Sequence, residues 1–414
     1  MTQIASVSLQ DLSQHLRSRA MPMASAEVIS ELQANGVRLE DPTAGAAARK
    51  GGAGPTDHKA VTVDGRTVMV PVHSDTAKAS PFFARAPDAQ GVSVLERDGL
   101  AIARIEFPLQ PRFYALQTFD GIAYGKIAQL HGKDVLATTV LQTCIRYGRR
   151  STSCQFCAIG ESLKEGRTIN RKTPEQLGEV ARAAVLLDGV KHMVMTTGTP
   201  NFTDRGAEIL CESAFGVKAA TVDHFGAPGA RRGLPGAERR GLPIQAQCEP
   251  PDDARWYQRL KDAGVDSLGM HLEAVTPEVR HRIMPGKATV SLREYMTAFA
   301  DAVAVFGRGQ VSTYILAGLG DSDEAILEMS ADLIQLGVYP FVVPFVPVGG
   351  TPLAHYPSPS AAAMRGLLAP LGKMLVEGGL KSADIKAGCG KCGACSSLAS
   401  FEIDAPLVQA HALA

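Results

Sequence analysis

An α/β fold built on parallel strands with helical crossovers is predicted by two patterns in this 414-residue chain. From Val135 onward, apolar strand-like runs alternate with capped helical segments in six successive units. Before them, two Asp-Gly dipeptides join alternating runs, which is the signal of tight antiparallel hairpins. Parallel strands need crossover connections, so the βα alternation predicts one sheet in an open doubly wound fold or in a full or partial barrel, and periodicity alone does not choose.

In chain order, Met1 to Ala20 reads as a polar amphipathic helix around Leu9, Leu12 and Leu16, without the apolar core of a signal peptide. A Gly/Ala-rich stretch from Ala44 to Thr56 leads into the hairpin of Lys59 to Val63 and Arg66 to Val70 around Asp64-Gly65. A second hairpin turns at Asp98-Gly99, so a small antiparallel sheet is expected, either as a cover for one end of the main domain or as a module of its own. The run Val135 to Gln142 is the first strand of the alternating region. Thr173-Pro-Glu-Gln176 then opens a helix with a capping residue, a first-turn proline and a glutamine three residues on. Strands follow at His192 to Thr196, Pro243 to Cys248, Ser267 to Leu272, Gln310 to Leu316 and Pro340 to Pro347. Helices fall near Asp204, Asp252 to Ala263, Ser291 to Phe306, Ser322 to Leu336 and Ser360 to Glu377. Ala227 to Arg240 repeats Arg-Arg-Gly-Leu-Pro and reads as a solvated insertion.

Composition excludes several function classes. Lys+Arg and Asp+Glu are equal at 42 each, so no global field recruits nucleic acid or an anionic membrane. No apolar run approaches the roughly 18 residues that a membrane span requires. Eight cysteines in a chain of this length suggest reduced thiols and metal ligation in the cytoplasm rather than disulfides.

The cysteines carry the chemistry. Cys144 leaves the first strand, and after nine residues comes Cys154-Gln-Phe156-Cys157. Three thiolates with no fourth nearby suggest an iron cluster with one open position, whereas four closed ligands usually mark a structural metal. This loop resembles the cluster loop of the radical S-adenosylmethionine (SAM) superfamily, whose usual spacing is Cys-x3-Cys-x2-Cys with an aromatic before the last cysteine. The last pair and Phe156 match, and nine residues replace the first three. Tripling a loop costs only about 1 kcal/mol of closure entropy, so convergence of the three sulfurs survives the longer gap.

Further segments extend the resemblance to the biotin synthase-like branch over about residues 135–360. It implies a partial (β/α)6 barrel over 131–360, preceded by an α+β extension over 1–130 and followed by a segment over 361–414. The resemblance further implies that Cys144, Cys154 and Cys157 are catalytic and hold a [4Fe–4S] cluster, with Phe156 beside it. Thr197 and Gly198 would meet the SAM amino group and Glu273 its ribose. His271 would face the substrate cavity, and Gly318 and Leu319 would lie against the adenine. Lys287 would meet the carboxylate, with Arg280 and Arg282 as competitors. Pro347 to Leu353 matches a Gly-Thr-Pro-Leu turn of that branch. The implied reaction is reductive cleavage of SAM to methionine and a 5′-deoxyadenosyl radical, which abstracts hydrogen from a small-molecule substrate. Electrons would come from a donor such as flavodoxin or ferredoxin.

Cys389, Cys392 and Cys395 lie among glycines and form a second metal candidate: an iron–sulfur cluster, a structural zinc or a redox tail. A fourth ligand is sought in Cys248, Cys211 or the substrate, with no fourth ligand as the remaining alternative. Packing or capping roles are expected for His192, Tyr114 and Tyr124. A substrate grip or a solvated face is expected for Arg146, Arg149 and Arg150, and Asp57-His58 is a weaker site candidate. The extension, the nine-residue gap and the C-terminal triplet together resemble the radical SAM family encoded beside nitrilases in bacterial gene clusters. Rearrangement, oxidation and sulfur insertion remain open as reactions. The alternative outside the enzyme class is an iron–sulfur or zinc protein for electron transfer or oxygen sensing.

Overall fold

In the computed structural model, residues 25–41, 58–225 and 241–404 are described. The amphipathic segment near Leu12, the Gly/Ala-rich stretch with Asp57, and the Arg-Arg-Gly-Leu-Pro insertion lie outside the described residues.

The chain opens with α1 (Ala26–Asn35), capped by Ser25. A six-stranded sheet follows, made of β1 (Arg38–Leu39), β2 (His58–Val63), β3 (Arg66–Pro71), β4 (Phe82–Ala84), β5 (Val92–Arg97) and β6 (Leu100–Glu106) in the order β1-β4-β5-β6-β2-β3. Both hairpins fall where the Asp-Gly dipeptides place them. Asp64 and Gly65, like Asp98 and Gly99, take the paired positive φ values that a two-residue turn needs to follow the strand twist. The sheet is mixed rather than purely antiparallel, because β1 joins β4 in parallel. Phe82, Leu95, Ile105 and their neighbours form a buried cluster separate from the main core.

The second sheet contains β7 (Gln129–His131), β8 (Val135–Thr139), β9 (His192–Thr196), β10 (Ile244–Gln247), β11 (Ser267–Gly269), β12 (Val311–Ala317) and β13 (Val338–Pro344). Strands β8 to β13 are parallel and lie in chain order, while β7 pairs antiparallel on the β8 edge. This order decides the question that periodicity leaves open. A doubly wound sheet reverses its strand order, but here crossovers of one hand run in one direction and put every helix on one face. The sheet therefore curls as a partial barrel, with its other face lining an interior.

The outer layer holds α2 (Pro174–Asp188), α3 (Ala207–Phe225), α4 (Arg255–Asp262), α5 (Leu292–Phe306), α6 (Asp323–Leu336) and α7 (Ala361–Glu377). Helix α2 has the full capping box: Gln176 N–H donates to Thr173 Oγ1, and Thr173 N–H donates to Gln176 Oε1. After α7 the chain returns to the barrel through a loop at Cys389–Cys392 and ends in α8 (Leu398–Asp404). No helix among the described residues is long and apolar enough to cross a membrane.

Candidate active site

The concave face of the barrel encloses a cavity of about 410 Å3, reached from the C-terminal ends of the strands. Cys144, Cys154, Phe156 and Cys157 line it on the mouth side, with Thr197, Gly198, Glu249, Glu273 and Lys287. His131, Gln247, His271, Tyr314, Cys389 and Cys395 line it deeper. Loops at the C-terminal ends of parallel barrel strands are where such folds place reacting groups.

The nine-residue gap after Cys144 is an ordered turn. Thr152 Oγ1 donates to Arg146 O at 2.9 Å, and Ser153 Oγ donates to the same carbonyl at 3.2 Å. Gly198 N–H donates to Leu141 O and Ile145 N–H to Thr199 O, which joins the loops after β8 and β9. A Cβ at Gly198 would collide with Thr143 O, so only glycine allows that approach. Gln155 N–H donates to Ile283 O, and Gly286 N–H to Thr152 O, tying the cysteine loop to the segment that carries Lys287. Burial raises both later thiols, Cys157 to about 11 and Cys154 well above its ordinary value, with the charge of Glu273 next in effect at Cys154. These are thiols poised to lose a proton only when a metal replaces it.

Two buried ion pairs stand beside this loop. Lys287 Nζ donates to Glu273 Oε2 at 2.9 Å. Burial would lower the Lys287 ammonium, but Glu273, then Tyr295 and Glu249, hold it above its ordinary value. Glu273 sits at φ +64°, a left-handed backbone that non-glycine residues seldom adopt outside constrained sites. The second pair joins Arg146 to Glu249 through two parallel bonds of 3.0 and 2.8 Å. Arg146 also donates to Gly286 O, and Thr199 Oγ1 donates to Glu249 at 2.6 Å. Deeper in, Tyr314 N–H donates to His271 Nδ1, so the ring proton lies on Nε2. Burial, then the charge of Lys287, pulls the His271 pKa down to about 3 and keeps the imidazole neutral.

The C-terminal cysteine loop closes the opposite end. Gly388 N–H donates to His192 Nδ1, and Cys389 N–H to Gln245 Oε1, groups near the N-terminal ends of β9 and β10. A Cβ at Gly388 would collide with the Gln245 side chain, so this closure too depends on glycine. Gln247 Nε2 donates to Cys389 Sγ at 3.2 Å, and Cys395 Sγ lies 3.5 Å from His131 Nε2.

Among the described residues, no three His, Cys, Asp or Glu side chains crowd closely enough to share a single metal ion. The thiols of both triplets are donors of the kind that an iron–sulfur cluster takes, one to each iron.

Several expected residues fall elsewhere. Arg280 spends its guanidinium on Leu272 O and Val290 O, and Arg282 on Leu319 O, so of the three candidates Lys287 is the one that lines the cavity, where Arg146 also stands. Gly318 and Leu319 are not among the lining residues, and Leu319 is buried with Val279, Ile283 and Phe345. Cys248 lines the cavity beyond the C-terminal end of β10, while Cys211 lies on α3. Arg146 is buried and paired, whereas Arg149 and Arg150 are exposed. Tyr114 accepts from Leu130 N–H, Tyr124 is buried, and His58 belongs to β2. Sequence reasoning missed Glu249 and His131, both polar residues at strand ends.

A half-barrel with three thiols at its mouth has donors of the kind an iron–sulfur cluster takes. Residues 149–333 match the model of the radical SAM superfamily, a span that starts just beyond Cys144. Over 122 residues the chain is 34% identical to bacteriochlorophyllide c C-7(1)-hydroxylase of Chlorobaculum limnaeum, covering 29% of this chain and 30% of the hydroxylase. Over 329 residues it is 26% identical to biotin synthase of Nitratidesulfovibrio vulgaris, covering 75% of this chain and 80% of the synthase. The solved structure of methylornithine synthase is 18% identical, covers 63% of this chain and 69% of that one, and superposes with a TM-score of 0.42. Residues 149–333 of the chain are thus a radical SAM domain. Such a domain implies a [4Fe–4S] cluster and SAM, small-molecule substrates and a source of electrons.

Proposed function

We propose that this chain is a radical SAM enzyme that removes hydrogen from an unactivated carbon of a small molecule held in the barrel cavity. What supports the reading is the gathering of three buried or half-buried thiols, the Thr197–Gly198 turn and the Glu273–Lys287 pair around one cavity mouth. Cys144, Cys154 and Cys157 hold the [4Fe–4S] cluster. When bound, cluster and SAM together supply a 5′-deoxyadenosyl radical after one electron enters from a flavodoxin or ferredoxin.

The chain's own groups do the rest. Gly198 lets the backbone after β9 lie close to the cysteine loop and present carbonyls to the SAM amino end. Lys287 neutralises the SAM carboxylate, and Glu273, held in its left-handed backbone, accepts from the ribose. Neutral His271 offers Nε2–H to the substrate and cannot itself take a proton near neutral pH. The covered cavity keeps water from a reactive carbon. Cys389, Cys392 and Cys395 would hold a second cluster, and two of them, Cys389 and Cys395, line the same cavity as Cys144, Cys154 and Cys157. On this reading the chain divides into an extension to residue 130, a barrel to 360 and a C-terminal metal segment.

Anaerobic reconstitution followed by SAM and dithionite tests the reading. 5′-Deoxyadenosine should form, and Cys157→Ser should abolish it; a reconstituted chain that yields none leaves only the electron-transfer or sensing alternative.

A further inference from the structure

Each sulfur of the C-terminal triplet has a hydrogen-bond partner in the barrel or in its own loop. Gln247 Nε2 donates to Cys389 Sγ at 3.2 Å, and the Tyr314 hydroxyl donates to the same sulfur. Ala394 N–H donates to Cys392, and His131 Nε2 stands 3.5 Å from Cys395 Sγ. A neutral thiol is a weak acceptor, so it repays little of the cost of burying an amide and a phenol against it. Against the sulfur of a metal-bound thiolate the same bonds are charge-assisted. We infer that Gln247 and Tyr314 are positioning residues for an auxiliary cluster held by the triplet, and that their bonds to Cys389 raise its reduction potential. This rests on the two-cluster reading above.

The direction of the Gln247 bond follows from its neighbours. Cys389 N–H is a backbone donor and meets Gln245 Oε1 at 3.0 Å, so the oxygen of that amide faces the loop. Its Nε2 donates to Ser312 Oγ at 2.9 Å. Gln247 approaches the same Oε1 at 2.8 Å, where an oxygen would be repelled, so it turns Nε2 toward both Gln245 and Cys389. An amide nitrogen has two protons, one for each partner. Tyr314 is held by its ring, through edge contacts with His271 and Phe341 at centroid distances of 4.7 and 5.1 Å. Burial, then the charge of Cys389, pushes its hydroxyl well above the ordinary value, so it stays a phenol and donates.

Reduction adds negative charge that a cluster shares with its ligand sulfurs, and hydrogen bonds to those sulfurs favour the reduced form. Two side-chain donors on one ligand therefore make this centre easier to reduce than the same triplet without them. Both residues also line the cavity, which puts the tuning groups on a wall that a bound molecule would meet.

The test is an anaerobic redox titration of the reconstituted two-cluster holoenzyme without SAM, read by electron paramagnetic resonance. Gln247→Met keeps the length of the side chain and Tyr314→Phe keeps the ring, and each removes one donor. Expected in each is a full iron complement and a ratio of reduced to oxidised auxiliary cluster that falls about tenfold at fixed potential, a shift of about 59 mV for one electron. The cluster on Cys144, Cys154 and Cys157 should keep its wild-type midpoint. An auxiliary midpoint that stays put in one variant would overturn that residue's part, and in both the whole inference, while iron at about eight per chain left the two-cluster reading standing. Iron at about four per chain in the wild type, unchanged by Cys389→Ala, would overturn both. Loss of the auxiliary iron from both variants would reduce the two residues to parts of the fold and overturn the tuning. If one variant fails to fold, the midpoint of the other decides.

Discussion

Glu273 is a polar residue in a strained backbone with its charge buried against one partner, so its two roles can be separated by substitution. Lys287→Met leaves a buried carboxylate without its cation, which costs about 3–5 kcal/mol of stability. Replacing Glu273 by Asn in the same chain removes the orphaned charge with a residue that tolerates left-handed φ. The double variant should therefore recover most of the lost denaturant midpoint, while calorimetry still finds SAM binding abolished. Recovery of both would mean that the pair serves packing alone. The Arg146–Glu249 pair makes a related prediction. Arg146→Lys cannot span both carboxylate oxygens and Gly286 O at once, and loses about 1.5–3 kcal/mol in unfolding measurements.

At the scale of elements, the anchoring of the C-terminal loop to β9 has a pH dependence. Burial, the largest cause, pulls the His192 pKa down to about 4, with Lys391 and Lys191 adding to it against Asp134. Between the unfolded value near 6.5 and this folded value, the unfolded chain binds the extra proton, so stability falls as pH drops through that window. The total is on the order of 3 kcal/mol, and urea midpoints at pH 7.5 and pH 5 should differ less in His192→Gln than in the wild-type chain. Helix α2 offers a smaller test: Thr173→Ala removes one half of the capping box and should cost about 1 kcal/mol. These elements were legible in the sequence because their signals are local. Short apolar runs such as His192 to Thr196 have the length of buried strands, and Thr173, Ser291, Ser322 and Ser360 announce helix starts through capping chemistry. Strand β7 was not legible, since Gln-Leu-His is three residues long and its pairing depends on the turn before β8. The cysteines of the site could be read from spacing. Glu249 and His131 could not, because their partners are 103 and 264 residues away along the chain.

At the scale of the molecule, the N-terminal sheet has a mechanical relation to the cavity floor. Its edge strand β3 donates Met69 N–H to Ala394 O at 2.7 Å, directly between Cys392 and Cys395. Helix α1 adds Gln33 Oε1, which accepts Ser397 N–H at 3.1 Å, and Glu31, which pairs with Arg365 at 3.0 Å. The C-terminal loop is thus held by barrel strand starts on one side and by this sheet on the other. A loop of small residues has little apolar surface of its own to bury, so its shape depends on such bonds. Met69 is paired within the hairpin through its other edge and its N–H faces the loop, so Met69→Pro removes the intersheet bond at an edge position where proline is tolerated. Combined with Gln33→Leu, it should leave the hairpin folded and release residues 389–397. Expected are an auxiliary cluster lost on gel filtration, with iron falling from about eight to about four per chain, and retained 5′-deoxyadenosine formation from SAM and dithionite, since the Cys144 loop lies at the other end of the cavity. If both clusters survived, the sheet would have no part in holding the floor; if both were lost, the two ends of the barrel would be coupled through its core.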